Sequence, residues 1–257
     1  MNKMILKVAL LAWVAIAVNA HAIGVPGQGT WETTLQGRDL NADGSVDAFF
    51  DTTLNITWLR DANVNQQPLN WTAANTWATG LVVGTHGGWR LPTMLDTFQP
   101  PISAADGCNF SFGGGTDCGY NVQTKSGSTV YGEMAHLYYV TLGNKSYCPP
   151  GDATCAGAPQ AGYGLTNTGG FQNMQLDDYW SGLEYAPDTT RAWYFVPRYG
   201  SQLQGGKGSG LYAMAVHDGD IGAAVVPEPT ALAMMIAGVC AVGLSLHRRK
   251  AAPLDHA

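Results

Sequence analysis

The segment HGGWRLPT, residues 86–93, brings two glycines, a tryptophan, an arginine and a proline together in eight residues. Its glycines allow a tight turn that leads into a short predicted apolar strand. Pro92 ends that strand because proline has no amide hydrogen to donate. Arg90 lies between Trp89 and Leu91, and an arginine inside an apolar motif usually makes a buried, bidentate contact. We therefore predict that Arg90 stabilises the fold, with ligand binding as the alternative.

One helix is predicted before this segment and one after it. The stretch NWTAANTWATGL, residues 70–81, begins at a capping Asn70 and ends near Gly80. The stretch GEMAHLYYVTLGN, residues 132–144, ends at Gly143. Apolar residues recur at helical spacing on both, which predicts one buried face each. Those faces carry Trp71, Ala74, Trp77 and Leu81 on the first helix and Met134, Leu137, Tyr138 and Leu142 on the second.

The remaining ordered parts are predicted to be strands. LNITWL, residues 54–59, alternates so that Leu54, Ile56 and Trp58 share one face. Three more strands are predicted within residues 177–185, 191–197 and 210–220, and residues 99–128 are predicted to form a long loop. Few helices beside short strands indicate the α+β class.

The same pieces resemble the Lcl-C/DUF1566 family of exported domains. The matching segments are Thr57–Asn63, Gly88–Thr93, Glu133–Leu137, Tyr179–Ser181, Ala192–Phe195 and Val216–Asp220. The resemblance implies a C-type-lectin-like fold, with two helices beside small antiparallel sheets and long loops that carry any binding. The chain departs from the family pattern after Thr93, where Met-Leu-Asp follows.

The N-terminal residues 1–22 are predicted to be a secretory signal peptide. Lys3 and Lys7 precede an apolar stretch that runs to Val18, and Ala20-His21-Ala22 forms an A-x-A cleavage site. An uncleaved anchor is the alternative. In either case residues 23–225 are predicted to form an exported domain, which implies the secretion machinery as a partner, and cleavage after Ala22 implies signal peptidase.

The C-terminal residues 226–250 contain a Pro-Glu-Pro step, an uncharged apolar run and a basic cluster. The run Thr230–Leu246 has 17 residues, and a helix of that length spans roughly 25 Å, near the lower limit for a transmembrane helix. A buried core helix is the alternative. The motif before the run is Val226-Pro227-Glu228-Pro229. The basic cluster after it, residues 247–250, contains Arg248, Arg249 and Lys250.

This order of features resembles the PEP-CTERM sorting signal of Gram-negative bacteria. The resemblance implies an exosortase as a partner and cleavage near the Pro-Glu-Pro motif. It also implies transient anchoring in the inner membrane, then residence at the cell surface or in the extracellular matrix, in bacteria that make exopolysaccharide and biofilm.

Charge excludes some partners. Residues 23–225 carry 8 Lys and Arg against 17 Asp and Glu, a net charge of about −9. Nucleic acid is therefore excluded as a partner, because phosphate binding needs clustered cations.

Four cysteines lie in the exported domain, namely Cys108, Cys118, Cys148 and Cys155. We predict the local disulfides Cys108–Cys118 and Cys148–Cys155, because each would restrain a Gly-rich or Pro-rich loop. A four-cysteine zinc site is the alternative, although it would normally show C-x₂-C pairs.

The stretch DLNADGSVDAFFD, residues 39–51, resembles the first half of a calcium loop. The candidate ligands are Asp39, Asn41, Asp43, Asp47 and Asp51. The twelfth position, which needs a carboxylate, is Phe50, and Asp51 follows one residue late. A glycine-centred turn before a strand is the favoured alternative, and calcium is the one cofactor that the sequence suggests.

No catalytic motif is present, and we predict no catalytic residues. Asp177, Asp178 and Glu184 are the candidates for an acid–base pair. The alternative is a turn before a strand, with Glu184 paired to Arg90 or Arg191. His136 is predicted to be a partly buried structural histidine. Two function classes remain: a structural or polysaccharide-binding component of the envelope or biofilm, and an enzyme on a lectin-like scaffold resembling the formylglycine-generating oxidases.

Overall fold

A computed structural model describes residues 24–94, 125–126, 129–130, 132–148 and 157–224. Within these ranges the protein is an α+β fold, because short helices lie beside small antiparallel sheets. No helix in these ranges has the length and apolar character needed to cross a bilayer. The predicted signal peptide, the predicted span Thr230–Leu246 and the sorting residues lie outside the described residues.

The largest sheet has five antiparallel strands in the order β10-β1-β2-β3-β9. Its strands are β1 (Leu35–Asp39), β2 (Ala48–Asp51), β3 (Ile56–Leu59), β9 (Val216–Asp218) and β10 (Ala223–Ala224). Strand β3 is central, and all four of its residues are buried. The prediction of a strand here is confirmed, but Leu54 lies in the preceding turn rather than on a shared face.

The second sheet has three antiparallel strands, β6 (Tyr179–Glu184), β7 (Arg191–Val196) and β8 (Ser201–Gly206). A separate hairpin pairs β4 (Lys125–Ser126) with β5 (Thr129–Val130). The strands predicted within residues 177–185 and 191–197 are therefore confirmed. Within residues 210–220 only Val216–Asp218 forms a strand, and the loop predicted over residues 99–128 is wrong at Lys125–Ser126.

Both predicted helices are present. Helix α2 (Trp71–Gly80) follows a short helix α1 (Trp31–Thr34), and the Asn70 side chain accepts a hydrogen bond from the Ala73 amide at its start. Helix α3 (Glu133–His136) continues as a π-helical turn over Leu137–Thr141. Gly143 ends this helix with a φ of +65°, a conformation that favours glycine.

The buried interior is rich in tryptophan. Trp58, Trp89, Trp180 and Trp193 are almost completely inaccessible to solvent. The predicted face of the second helix, Met134, Leu137, Tyr138 and Leu142, lies in one cluster with Trp58. On α2 the buried positions are Ala74 and Ala78, and Trp71 and Trp77 pack partly exposed at the edge. Most of the tryptophans in the described residues therefore serve the core rather than a binding surface.

The segment HGGWRLPT joins the two sheets and α3. Its Arg90 forms an isolated antiparallel bridge with Val216 of β9, through N–H···O bonds of 2.8 and 2.9 Å. The Gly182 amide in β6 donates to the Pro92 carbonyl, and the Glu133 amide donates to the Thr93 carbonyl. The prediction of a short strand here is wrong, because successive residues bond to different elements: Arg90 to β9, Pro92 to β6 and Thr93 to α3.

Candidate functional site

Arg90 forms ion pairs with two carboxylates, those of Glu133 and Asp218. Its two terminal nitrogens each donate to one Glu133 carboxylate oxygen at 2.8 Å, and Nη2 also reaches Asp218 at 2.5 Å. Burial lowers the pKa of the Arg90 guanidinium, but hydrogen bonds and charges from Glu133 and Asp218 outweigh burial and raise that pKa. The hydrogen bond from Arg90 also holds the pKa of Asp218 below its ordinary value. The predicted bidentate contact is confirmed, although the Arg90 side chain is 30% exposed rather than buried, and its structural role stays a prediction.

The stretch resembling a calcium loop forms the turn between β1 and β2. Asp39 accepts hydrogen bonds from the backbone amides of Asn41, Ala42 and Gly44. These bonds, led by the one from Gly44, hold the pKa of Asp39 below its ordinary value. Asp43 accepts from Ser45 in the same way. The acidic side chains therefore close a turn, which is the alternative that the sequence favoured.

Two members of the proposed ligand set differ from that arrangement. Asp47 accepts from the Leu40 amide and the Asn41 side chain across the turn. Asp51 lies at the opposite end of the hairpin, because it pairs with Leu35. It is buried, its carboxylate accepts from the Thr53 and Leu54 amides, and burial raises its pKa. The prediction that Asp51 completes a calcium site with the turn residues is therefore wrong. No group of three or more His, Cys, Asp or Glu side chains within the described ranges is arranged to hold a metal ion.

The candidates for an acid–base pair, Asp177 and Glu184, are not in contact. Asp177 pairs with Arg198 at 2.8 Å, whereas Glu184 lies at the far end of β6 and pairs with Lys207. The expectation that Glu184 pairs with Arg90 or Arg191 is wrong. Strand β6 separates the two ends by roughly 15–20 Å, which is too far for a shared reaction centre. Burial and the neighbouring charge of Asp177 raise the pKa of Asp178 to about 6, although Arg198 acts to lower it.

His136 and the cysteines are structural where the chain is described. His136 is 1% exposed, so it is more deeply buried than expected, and its Nδ1 lies 3.5 Å from the Thr141 hydroxyl. Cys148 is buried and takes part in a disulfide. Cys108, Cys118 and Cys155 lie outside the described residues, so the predicted pairing stays a prediction.

Three tyrosines from different parts of the chain form a surface cluster, which we call the tyrosine patch: Tyr147, Tyr163 and Tyr199. Tyr147 packs edge-on against both others, with ring centroids 4.8 Å from Tyr163 and 5.6 Å from Tyr199. Tyr163 and Tyr199 are 38% and 43% exposed, more than any other aromatic side chain in the described ranges. The patch is therefore the aromatic surface to which a ligand has access.

Backbone and side-chain bonds fix the patch. The Tyr147 amide donates to the Tyr199 carbonyl at 2.8 Å, and the Gln160 amide donates to the Tyr147 carbonyl at 2.9 Å. The Gln160 side chain in turn donates to the Ser146 and Cys148 carbonyls at 2.9 Å. The tyrosines are thus presented on a rigid support, which lowers the entropic cost of binding.

Polar and apolar groups adjoin the patch. Arg198 precedes Tyr199, has a side chain that is 51% exposed, and pairs with Asp177. Leu176, also 51% exposed, accepts the Arg198 amide hydrogen bond through its carbonyl. An exposed ion pair and an exposed leucine are therefore linked to the residue that precedes Tyr199 in the chain. The sequence analysis did not predict this cluster, because its members lie 16 and 36 residues apart.

Comparison with known proteins identifies the C-terminal segment. Residues 225–250 match the model of the PEP-CTERM protein-sorting motif. The motif implies an exported protein that an exosortase sorts, as the sequence predicted from the Pro-Glu-Pro step and the basic cluster. No curated protein and no solved structure matches the chain.

Proposed function

We propose that the protein is a surface or extracellular-matrix component whose exported domain binds polysaccharide through the tyrosine patch. The observation that carries the proposal is the clustering of Tyr147, Tyr163 and Tyr199 on a fixed support with two rings accessible. The sorting motif supports it, because that motif directs the domain to the outside of the cell.

The chemistry of the patch suits a sugar ring. The C–H face of a pyranose is apolar and packs on an aromatic ring, while its hydroxyl groups need donors and acceptors at the edge. Tyrosine hydroxyls, Arg198 and Asp177 supply those groups here. A folded domain that carries about −9 charge when both ends are removed favours neutral over acidic polymers.

The proposal extends to the scaffold and to the role. We propose a C-type-lectin-like arrangement, supported by two helices beside small antiparallel sheets and by loops that carry the patch. We also propose binding rather than catalysis. Its support is that the carboxylates considered as acid and base lie at opposite ends of β6 in separate ion pairs.

The test is binding of the purified chain, in detergent, to extracellular polysaccharide of the strain that produces it. The double variant Tyr163→Ala/Tyr199→Ala should lose at least about tenfold in affinity, since two stacking surfaces disappear. The matched control Tyr163→Phe/Tyr199→Phe keeps both rings and should retain most of the affinity.

Equal affinity of the wild type and the alanine variant would show that the tyrosine patch does not bind the polysaccharide. Saturable binding that chelator abolishes would instead restore the calcium loop as the binding element. Absence of binding by the wild type would leave a purely structural envelope role.

A further inference from the structure

A second surface feature, separate from the tyrosine patch, is an open cleft beside the β1–β2 turn. Its volume is about 420 Å³. Val64 and Val82, which are 39% and 64% exposed, form part of its wall. Three charged residues, Asp47, Arg60 and Asp61, also line it. The cleft thus combines apolar surface with both signs of charge.

The hydrogen bonds of the Arg60 side chain within the described residues go to backbone carbonyls alone. Its Nη1 donates to the Val46 carbonyl at 3.0 Å, and its Nε lies 3.5 Å from the Gly170 carbonyl. Among the described residues no carboxylate lies within ion-pair distance of it. A half-buried guanidinium has five N–H donors, so Arg60 keeps several without a protein acceptor.

The two aspartates are anchored in a similar way. Asp61 accepts from the Asn63 amide at 2.8 Å and from the Asn173 side chain at 2.9 Å, one bond on each oxygen. Asp47 accepts from the Leu40 amide and the Asn41 side chain, also one on each oxygen. Each carboxylate oxygen accepts more than one hydrogen bond, so both residues keep acceptor capacity.

These groups disfavour anions and purely apolar ligands and suit a neutral sugar. An anion would meet two carboxylates and one guanidinium, so the local charge opposes it. A purely apolar ligand would leave the charged groups without partners and lose their hydration. A neutral sugar satisfies all of them, because each hydroxyl both donates and accepts and its C–H face contacts valine.

We propose that this cleft is a second saccharide-binding site, which takes a neutral sugar unit through a pair of adjacent hydroxyl groups. Asp61 and Asp47 accept from the hydroxyls, Arg60 donates to them, and Val64 and Val82 contact the ring. The site contains no residue of the tyrosine patch, so binding at the cleft does not depend on the function proposed above.

The test is calorimetric titration of the full chain, in detergent, with two probes: a neutral maltohexaose and an acidic hexagalacturonate. Maltohexaose should bind, with a heat that hexagalacturonate does not reproduce. Val82→Trp fills the mouth of the cleft from an exposed position and should weaken the binding at least about tenfold. Val25→Trp, at an exposed valine that does not line the cleft, should leave it unchanged.

A second variant tests the donors of Arg60 directly. Arg60→Met keeps the length of the side chain and removes its donors, and it should weaken maltohexaose binding to a similar degree. The alanine variant of the tyrosine patch separates the two sites, because cleft binding should survive in it.

Three results would overturn the proposal: no heat with maltohexaose, tighter binding of hexagalacturonate, or full affinity in Val82→Trp. Loss of binding only in the variant Tyr163→Ala/Tyr199→Ala would assign all sugar binding to the patch.

Discussion

At the scale of single residues, Arg90 shows how one side chain joins distant parts of the chain. Its partner Glu133 begins α3, and its partner Asp218 ends β9. The sequence pattern around Arg90 indicates a bidentate contact because an arginine among apolar residues needs one. The pattern does not name Glu133 or Asp218, since those partners lie 43 and 128 residues away.

Replacement of Arg90 by Met should lower the free energy of unfolding by about 2–3 kcal/mol, because Glu133 is left as a largely buried, unpaired carboxylate. The value lies below that for a fully enclosed pair because the Arg90 side chain is 30% exposed. Urea denaturation measures it. Arg198→Met, which breaks an exposed pair, is the control and should change stability by less than about 1 kcal/mol. Equal effects of the two variants would contradict a structural role special to Arg90.

Asp178 gives a prediction about pH. Its pKa rises from the ordinary 3.8 to about 6 in the folded state, mainly through burial. The charged carboxylate therefore destabilises the fold, and stability falls as pH rises from about 4 to about 6.

Asp178→Asn removes this cost. Since Asp178 keeps some solvent contact, we expect a gain of about 1 kcal/mol at pH 7.5 and none near pH 3.5. Thermal unfolding at both pH values measures the difference. The measurement near pH 3.5, where Asp178 is largely protonated, is the internal control. A gain that does not depend on pH would contradict the assignment to ionisation.

At the scale of elements, the β1–β2 turn shows why a motif of acidic residues does not specify a metal. Asp and Asn close turns with their own side chains, and the same residues are the ligands that calcium prefers. The position of the last carboxylate decides between the two. Here strand pairing carries Asp51 away from the turn and into the core.

Calcium should therefore leave the thermal unfolding of the protein unchanged. Asp39→Ala removes the acceptor for three backbone amides and should lower the melting temperature by the same amount with and without calcium. Differential scanning calorimetry in calcium and in chelator measures both. Asp188→Ala, in the turn between β6 and β7, is a control for loss of a turn aspartate elsewhere. A rise in melting temperature with calcium that Asp39→Ala abolishes would establish a metal site.

At the scale of the whole molecule, the two ends of the exported domain meet. Strand β10 pairs with β1 through Arg38 and Asp39, and Arg38 also forms a bidentate pair with Asp220 just before β10. The sorting motif begins at residue 225, immediately after β10. The domain thus closes its sheet at the point where the sorting segment starts.

This closure predicts that residues 23–225 fold without the sorting segment, whereas a chain ending at Gly219 does not reach the same stability. The shorter chain loses β10, the Arg38–Asp220 pair and the packing of Ile221 against the core. Thermal unfolding of the two proteins should show a clearly lower melting temperature for the shorter one. Equal melting temperatures would show that β10 contributes nothing to the fold.

Local sequence alone determined the two helices, the buried face of the second helix, the central strand and the sorting signal. Each of these depends on residues a few positions apart, whose spacing, caps and charges are visible in the chain. Only the tertiary structure decided the partners of Arg90, the separation of Asp51 from its turn, and the strands β1, β8 and β10. It also decided the tyrosine patch and the cleft, because each gathers residues from distant segments. Such contacts depend on how whole elements pack, which no short window of sequence encodes.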